Sequence, residues 1–147
     1  DICKLCESAI ADLKEIAARK TVQLIAKTPA PIYRDINLDP ILFRRAIDNL
    51  LSNAIKFSPQ DSTITLFVDY IGQQGVRIRV ADLGPGVSEN LRQSIFEKYE
   101  IGTLMKGVSQ TGLGLAFCKI VVEAHSGKIS VTDNRPQGSI FTIEIDN

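Results

Sequence analysis

Two stretches of this chain alternate between apolar and polar residues on either side of a turn. STITLFVDYI and GVRIRVAD, residues 62–71 and 75–82, flank a turn through Gly72 and Gly75; KISVTD and GSIFTIEI, residues 128–133 and 138–145, flank Asn134, Pro136 and Gly138. A period of two puts every second side chain on one face, so each stretch predicts a hairpin with one face to bury and one to solvate. Strands that arrive as adjacent pairs, rather than singly between helices, point to a mixed sheet with helices on one face.

The helical layer is also legible. DICKLCESAIADLKEIAARK opens the chain with Leu5, Ala9, Leu13, Ile16 and Ala17 on one stripe. PILFRRAIDNLLSNAIKF follows Asp39, an N-cap candidate, with Pro40 in its first turn, and stops before Pro59. Its apolar side carries Phe43, Ile47, Leu50, Leu51 and Ala54. A further helix is expected over residues 114–125, with Gly127 as its C′ residue. TVQLIAKT and PIYRDIN read as short strands, and residues 83–111 as a loop around one short helix near 89–98. The expectation is an α+β fold, a two-layer α/β sandwich in one domain spanning residues 1–147. The chain opens inside a helical pattern without an initiator methionine, so a fragment of a longer protein is expected.

Lysine plus arginine balances aspartate plus glutamate at 17 each, so no net field favours nucleic acid or an anionic membrane. No apolar run approaches the roughly 20 residues of a membrane span, and no signal peptide opens the chain. Cys3 and Cys6 form a CxxC, but with 3 cysteines in all and helical spacing, packing is favoured over redox or zinc chemistry. That usage fits a reducing compartment.

An anionic ligand must then be held by local geometry, and QTGLGLAF, residues 110–117, is the place to look. A dinucleotide fingerprint would need a third glycine where Phe117 stands, and a strand before Gly112. No GxxxxGK[ST] string exists, and the HRD and DFG of protein kinases are missing. What remains is a helix start, whose unpaired N–H groups and dipole favour phosphate, with glycines that admit it closely; an ordinary helix start is the alternative.

Asn49, Asn53 and Lys56 lie on the side of their helix opposite the apolar one. A solvated face would suit the lysine, but two asparagines are mediocre helix formers; their amide oxygens suit Mg²⁺, and Lys56 suits a triphosphate. In VADLGPGV, Asp82 ends a strand and could accept from an exocyclic amine such as adenine's, or could simply open a turn.

In order, NLLSNAIKFSP, DLGPGV, IFEKY and TGLGLAFCKIVVEAHSG resemble the N box, first glycine box, F box and second glycine box of the GHKL ATPase superfamily. The likeness is strongest to the ATP-binding catalytic domain of sensor histidine kinases. It implies a GHKL (Bergerat) sandwich: a mixed, mostly antiparallel sheet covered on one face by three helices, with a mobile ATP lid. It also implies ATP and Mg²⁺, the latter on Asn53, with Asn49 and Lys56 near the phosphates as the catalytic group. Phe57 would lie beside the nucleoside, and Asp82 would bind the adenine amine. Gly84 and Gly86 would shape the base pocket, and Val87 and Tyr99 would also bind the nucleotide. Gly112, Gly114 and Leu115 would close the phosphate side, with Thr111 and Leu113 also binding the nucleotide, and residues 97–110, softened by Gly102 and Gly107, would form the lid.

Relatives that hydrolyse ATP resemble each other in carrying a glutamate four positions before the metal-binding asparagine. Here that position is Asn49, and an amide cannot take a proton from water. A neutral imidazole needs no such base, which favours transfer to histidine. The resemblance implies a histidine on a separate dimerisation domain of the same protein, a downstream response-regulator receiver domain, and a cytoplasmic location with no membrane contact by this domain. His125, the sole histidine, reads as a helix C-terminal residue rather than the acceptor. Two positions depart from the pattern: Leu83 replaces an asparagine after Asp82, and Ile101 stands where an arginine usually reaches for the γ-phosphate. Lys98 or Lys106 could substitute for it. The alternative is a nucleotide-binding or protein-interaction module without phosphotransfer.

Overall fold

The computed structural model describes residues 1–28, 34, 36–92, 94–96 and 113–146. Among the described residues five strands form one sheet in the order β1-β2-β3-β5-β4: β1 Gln23–Lys27, β2 Thr63–Ile71, β3 Gly75–Ala81, β4 Lys128–Asp133 and β5 Ser139–Ile145. β1 runs parallel to β2, and every other pairing is antiparallel. The expected hairpins are thus β2–β3 and β4–β5, joined through the centre of the sheet.

The alternation in sequence becomes a two-faced sheet. Leu66, Val80 and Phe141 stand in one row across β2, β3 and β5, and Val68, Ile78 and Ile143 in the next. All six are buried. The opposite face is polar: Phe67 lies between the cations of Lys27 and Arg79, at 5.7 and 4.9 Å, and Arg79 pairs with Asp69 at 2.8 Å. Such half-exposed pairs contribute at most about 1 kcal/mol and serve mainly to keep that face wet.

Helices α1 Ile2–Arg19, α2 Pro40–Phe57 and α3 Leu113–Ala124 cover the apolar face, with α2 packed between the other two. The side chain of Asp1 caps α1, and that of Asp39 accepts from the N–H groups of Ile41 and Leu42 to cap α2. The far end of α2 is closed by Lys20, whose Nζ donates to the carbonyls of Ile55 and Lys56. All five apolar residues expected on α2 are buried. Among the described residues, no helix is long and apolar enough to cross a membrane.

Several expectations are corrected. The buried stripe of α1 runs through Ile2, Cys6, Ala9, Ile10 and Ala17; Leu5 and Leu13 flank it, and Ile16 is 52% exposed. The short helix near residues 89–98 is two 3₁₀ turns, Glu89–Leu91 and Ser94–Phe96. Ser126, not Gly127, takes the left-handed conformation after α3, with φ of 59°. Gly127 is needed for another reason, since a Cβ there would lie 2.5 Å from the Glu144 carbonyl oxygen. The strand expected over residues 31–37 lies mostly outside the described residues. Arg34 within it is not in a strand; it donates to the carbonyls of Ile71, Gly72 and Gly75 at the β2–β3 tip. Cys6 and Cys118 are buried, which pushes both thiols up to about 12, so they pack rather than react.

Candidate functional site

Three segments far apart in sequence border one slot. It is lined by Asn53 and Phe57 from α2, Asp82, Pro85, Gly86 and Val87 after β3, and Leu115 from the first turn of α3. Ile95, Ser139 and Phe141 complete it. Helix α2 enters because its apolar stripe fixes its rotation on the sheet, which turns the Asn53 side towards α3. Asp82 enters because β3 ends there, still paired: its N–H donates to the Ser139 carbonyl at 2.9 Å.

The Asp82 side chain is 4% exposed. Its Oδ1 accepts from the N–H groups of Gly84 and Ser139, at 2.9 and 3.2 Å. Oδ2 has no hydrogen-bond partner among the described residues. Burial pushes this carboxyl above the usual carboxylate range, and the two N–H groups pull it partly back. An anionic acceptor held from behind by backbone, with its other oxygen spare beside a cavity, is built to receive a donor.

The slot is narrow, with about 20 Å³ of free volume, room for one or two water molecules. That is too little for a flat purine ring, so the slot must widen to admit one. Larger hollows lie elsewhere. One of about 420 Å³ separates α1 from β1, but none of the expected site residues lines it. Another, of about 530 Å³, lies outside the Pro85–Ser88 segment, against the β4–β5 turn.

The remaining expected residues divide by position. Asn49 sits one turn before Asn53, faces α3 and donates from Nδ2 to the Gly114 carbonyl at 3.4 Å. It thus ties α2 to the start of α3 and does not line the slot. Lys56 is exposed and also outside the lining. Gly84 packs behind Asp82, where a Cβ would lie 2.7 Å from the Phe57 carbonyl oxygen. Gly114 is in helical backbone at the α3 start. Tyr99, Thr111, Gly112 and the lid over residues 97–110, with Lys98, Ile101 and Lys106, lie outside the described residues, as does the side chain of Leu113. Ser139, Phe141 and Ile95 were not anticipated. The sequence signal for Ser139 and Phe141 is the alternation of β5, which puts both on the core face, and Ile95 opens the IFEKY string.

His125 is fully engaged. Its Nε2 receives the Asp39 backbone N–H at 2.9 Å, so Nε2 is the lone-pair nitrogen, and Nδ1 donates to the Val121 carbonyl at 2.7 Å. Neither nitrogen is left for a phosphoryl group. Among the described residues no cluster of three or more His, Cys, Asp or Glu could hold a metal.

Comparison with known proteins agrees with this arrangement. The family model described as "Histidine kinase-, DNA gyrase B-, and HSP90-like ATPase" matches residues 38–147. The sensor histidine kinase TmoS of Ectopseudomonas mendocina is 33% identical over 99% of this chain and 15% of its own length. The adaptive-response sensory kinase SasA of Synechococcus sp. (strain CC9311) is 30% identical over 99% of this chain and 38% of its own. The chain therefore spans well under half the length of these curated relatives. Full-length ShkA, crystallised in complex with AMPPNP, superposes with a TM-score of 0.85 at 29% identity, covering 99% of this chain and 30% of that one. The catalytic domain of the histidine kinase ThkA superposes at 0.82 with 26% identity, over 97% of this chain and 90% of that one. A cavity walled by Asp82, Asn53 and the start of α3, on this sheet order, thus accompanies a match over most of the chain: it belongs to the histidine kinase-, DNA gyrase B- and HSP90-like ATPase family.

Proposed function

We propose that this chain is the ATP-binding catalytic domain of a two-component sensor histidine kinase. In this reading it passes the γ-phosphoryl group of ATP to a histidine on a separate dimerisation domain, from which a response-regulator receiver domain takes it. The domain would work in the cytoplasm. One observation carries the reading: Asp82, with only its Oδ1 engaged among the described residues, lines the same slot as Asn53 and the first turn of α3.

The adenine amine donates to Asp82 Oδ2 once the slot widens, and Gly86, Val87 and Phe57 lie against the base. From there the nucleotide runs past Asn53 towards the start of α3, where unpaired N–H groups and the helix dipole favour phosphate. Gly114 supports this, since among the described residues a methyl there would meet nothing closer than Asn49 at 3.9 Å, so their packing does not require glycine. Thr111, Gly112, Leu113 and Leu115 are assigned to the same side, Tyr99 to the base side, and Lys56 to the phosphates.

The Asn53 amide fits Mg²⁺ as a single hard oxygen ligand, and the lack of a carboxylate cluster among the described residues fits an ion that arrives with the nucleotide. When bound, the ion would neutralise the charge that develops on the transferring phosphoryl group. Asn49 cannot act as a base, and none is needed: a neutral imidazole lone pair forms the P–N bond as the bridging P–O bond to ADP breaks. Positioning supplies the rest.

Mg-ATP is expected to raise the melting temperature, because ligand at 100 times its dissociation constant adds about 2.7 kcal/mol. An unchanged melting curve would sink the reading. Ile101, at the position where relatives carry arginine, favours a second reading in which nucleotide binds without transfer. Labelled ATP incubated with the chain and its histidine-bearing domain separates the two: label on the histidine supports the kinase, binding without label the second reading.

A further inference from the structure

The β4–β5 turn carries no recognised motif, yet its side chains reach back to the segment that holds Asp82. Strand pairing stops at Ala81↔Ile140 and Asp133↔Ser139, which leaves the next carbonyls of the β3 exit without ladder partners. Two side chains of the turn supply them. Asn134 Nδ2 donates to the Asp82 carbonyl at 2.7 Å, and Gln137 Nε2 to the Leu83 carbonyl at 2.8 Å. Asn134 is itself fixed, since its Oδ1 accepts from the Arg135 N–H and its own N–H donates to the Gly138 carbonyl. Between them Gly138, with φ of 106°, presses onto Asp82 so closely that a Cβ would lie 2.0 Å from its carbonyl oxygen. Arg92 links the other wall to the same turn, with Nε towards the Val87 carbonyl at 3.4 Å and Nη2 on Asp133 at 2.7 Å.

We propose that Asn134 and Gln137 are positioning residues that set adenine selectivity from outside the cavity. They clamp the two peptide units that follow Asp82, on either side of Leu83, so that the Oδ2 of Asp82 is held at one point while the Pro85–Val87 wall adjusts to the base. The open hollow between that wall and the turn leaves room for the adjustment. This rests on the reading that Asp82 accepts the adenine amine. Gln137 is exposed and touches neither the slot nor the core, so a role confined to stability would leave selectivity unmoved.

The test is the ratio of dissociation constants for ATP and ITP with Mg²⁺, since ITP carries a carbonyl in place of the amine. Wild-type chain is compared with Asn134→Asp, Gln137→Ala and the double variant. Asn134→Asp keeps the Oδ1 acceptor and removes the donor. At about 1 kcal/mol per lost hydrogen bond, each variant is expected to weaken ATP binding on the order of fivefold, with ITP nearly unchanged. Should Asn134→Asp fail to fold, Gln137→Ala alone decides. An unchanged ratio in variants of a selective wild type overturns the clamp alone, as does an equal loss for both nucleotides. A wild type that binds ATP and ITP alike overturns the base assignment and the clamp with it, while a wild type that binds neither overturns the nucleotide reading itself.

Discussion

Gly84, in the loop after β3, and Gly114, in the first turn of α3, both neighbour residues that line the slot, and they contrast as glycines. A methyl group at Gly84 would lie 2.7 Å from the Phe57 carbonyl oxygen, a distance no packed Cβ tolerates. At Gly114 the nearest atoms among the described residues are those of Asn49 at 3.9 Å, an ordinary contact. The described packing therefore demands the first glycine and not the second. In the proposed reading, one side of the slot is built by the chain's own contacts, and the backbone at the start of α3 faces the phosphates.

The largest expected effect falls on the built side. Asp82→Asn replaces the spare acceptor with an amide, and loss of a bond to a charged group is expected to weaken ATP binding by roughly ten- to a hundredfold. Equilibrium titration reads it. Because burial raises this carboxyl above its usual value, the ionised form opposes the fold, and stability falls as pH rises through the raised value. Asp82→Asn is therefore expected to melt at the same or a higher temperature at neutral pH, with the difference shrinking in acid. A lower melting temperature at neutral pH would show that the two N–H donors outweigh desolvation.

The two glycines give the sharpest contrast. Gly84→Ala is expected to lose about 1–3 kcal/mol of stability, by denaturant unfolding, from overpacking against Phe57. Gly114→Ala is expected to keep or gain stability, by up to about 1 kcal/mol, since alanine favours helix. It should nevertheless weaken ATP while leaving adenosine binding unchanged. Equal stability losses in the two variants would break the distinction. The smallest effect is expected from Asn53→Ala, which should remove most of the Mg²⁺-dependent part of the ATP-induced melting shift and leave the Mg²⁺-independent part.

What was legible in sequence follows the range of the forces. The hairpins and the buried side of α2 could be read because alternation and helical period are local. The stripe of α1 was read one flank away from its centre: Ala9 and Ala17 were placed on it, but Leu5, Leu13 and Ile16 were taken in place of Ile2, Cys6 and Ile10, because helical period alone does not say where α2 and β1 pack against α1. The described residues of 89–96 form two 3₁₀ turns, with i→i+3 backbone bonds such as Leu91 N–H to the Ser88 carbonyl, too short a pattern to register as a period. Gly127 announced itself as a helix end but answers to Glu144 on a strand read later. At the site, Asn53, Phe57, Asp82, Gly86, Val87 and Leu115 were anticipated and do line one slot. Asn134 and Gln137 were not, since their partners lie 52 and 54 residues away and no local pattern records them.

Amide chemical shifts of the chain, followed as Mg-ATP is added, test the central claim most directly. Shifts of Asn53, Gly84, Leu115 and Ser139 should move together at one saturation point, while the groove between α1 and β1 stays still. Movement confined to that groove, or to one of the three segments without the others, would contradict a single nucleotide site shared among them.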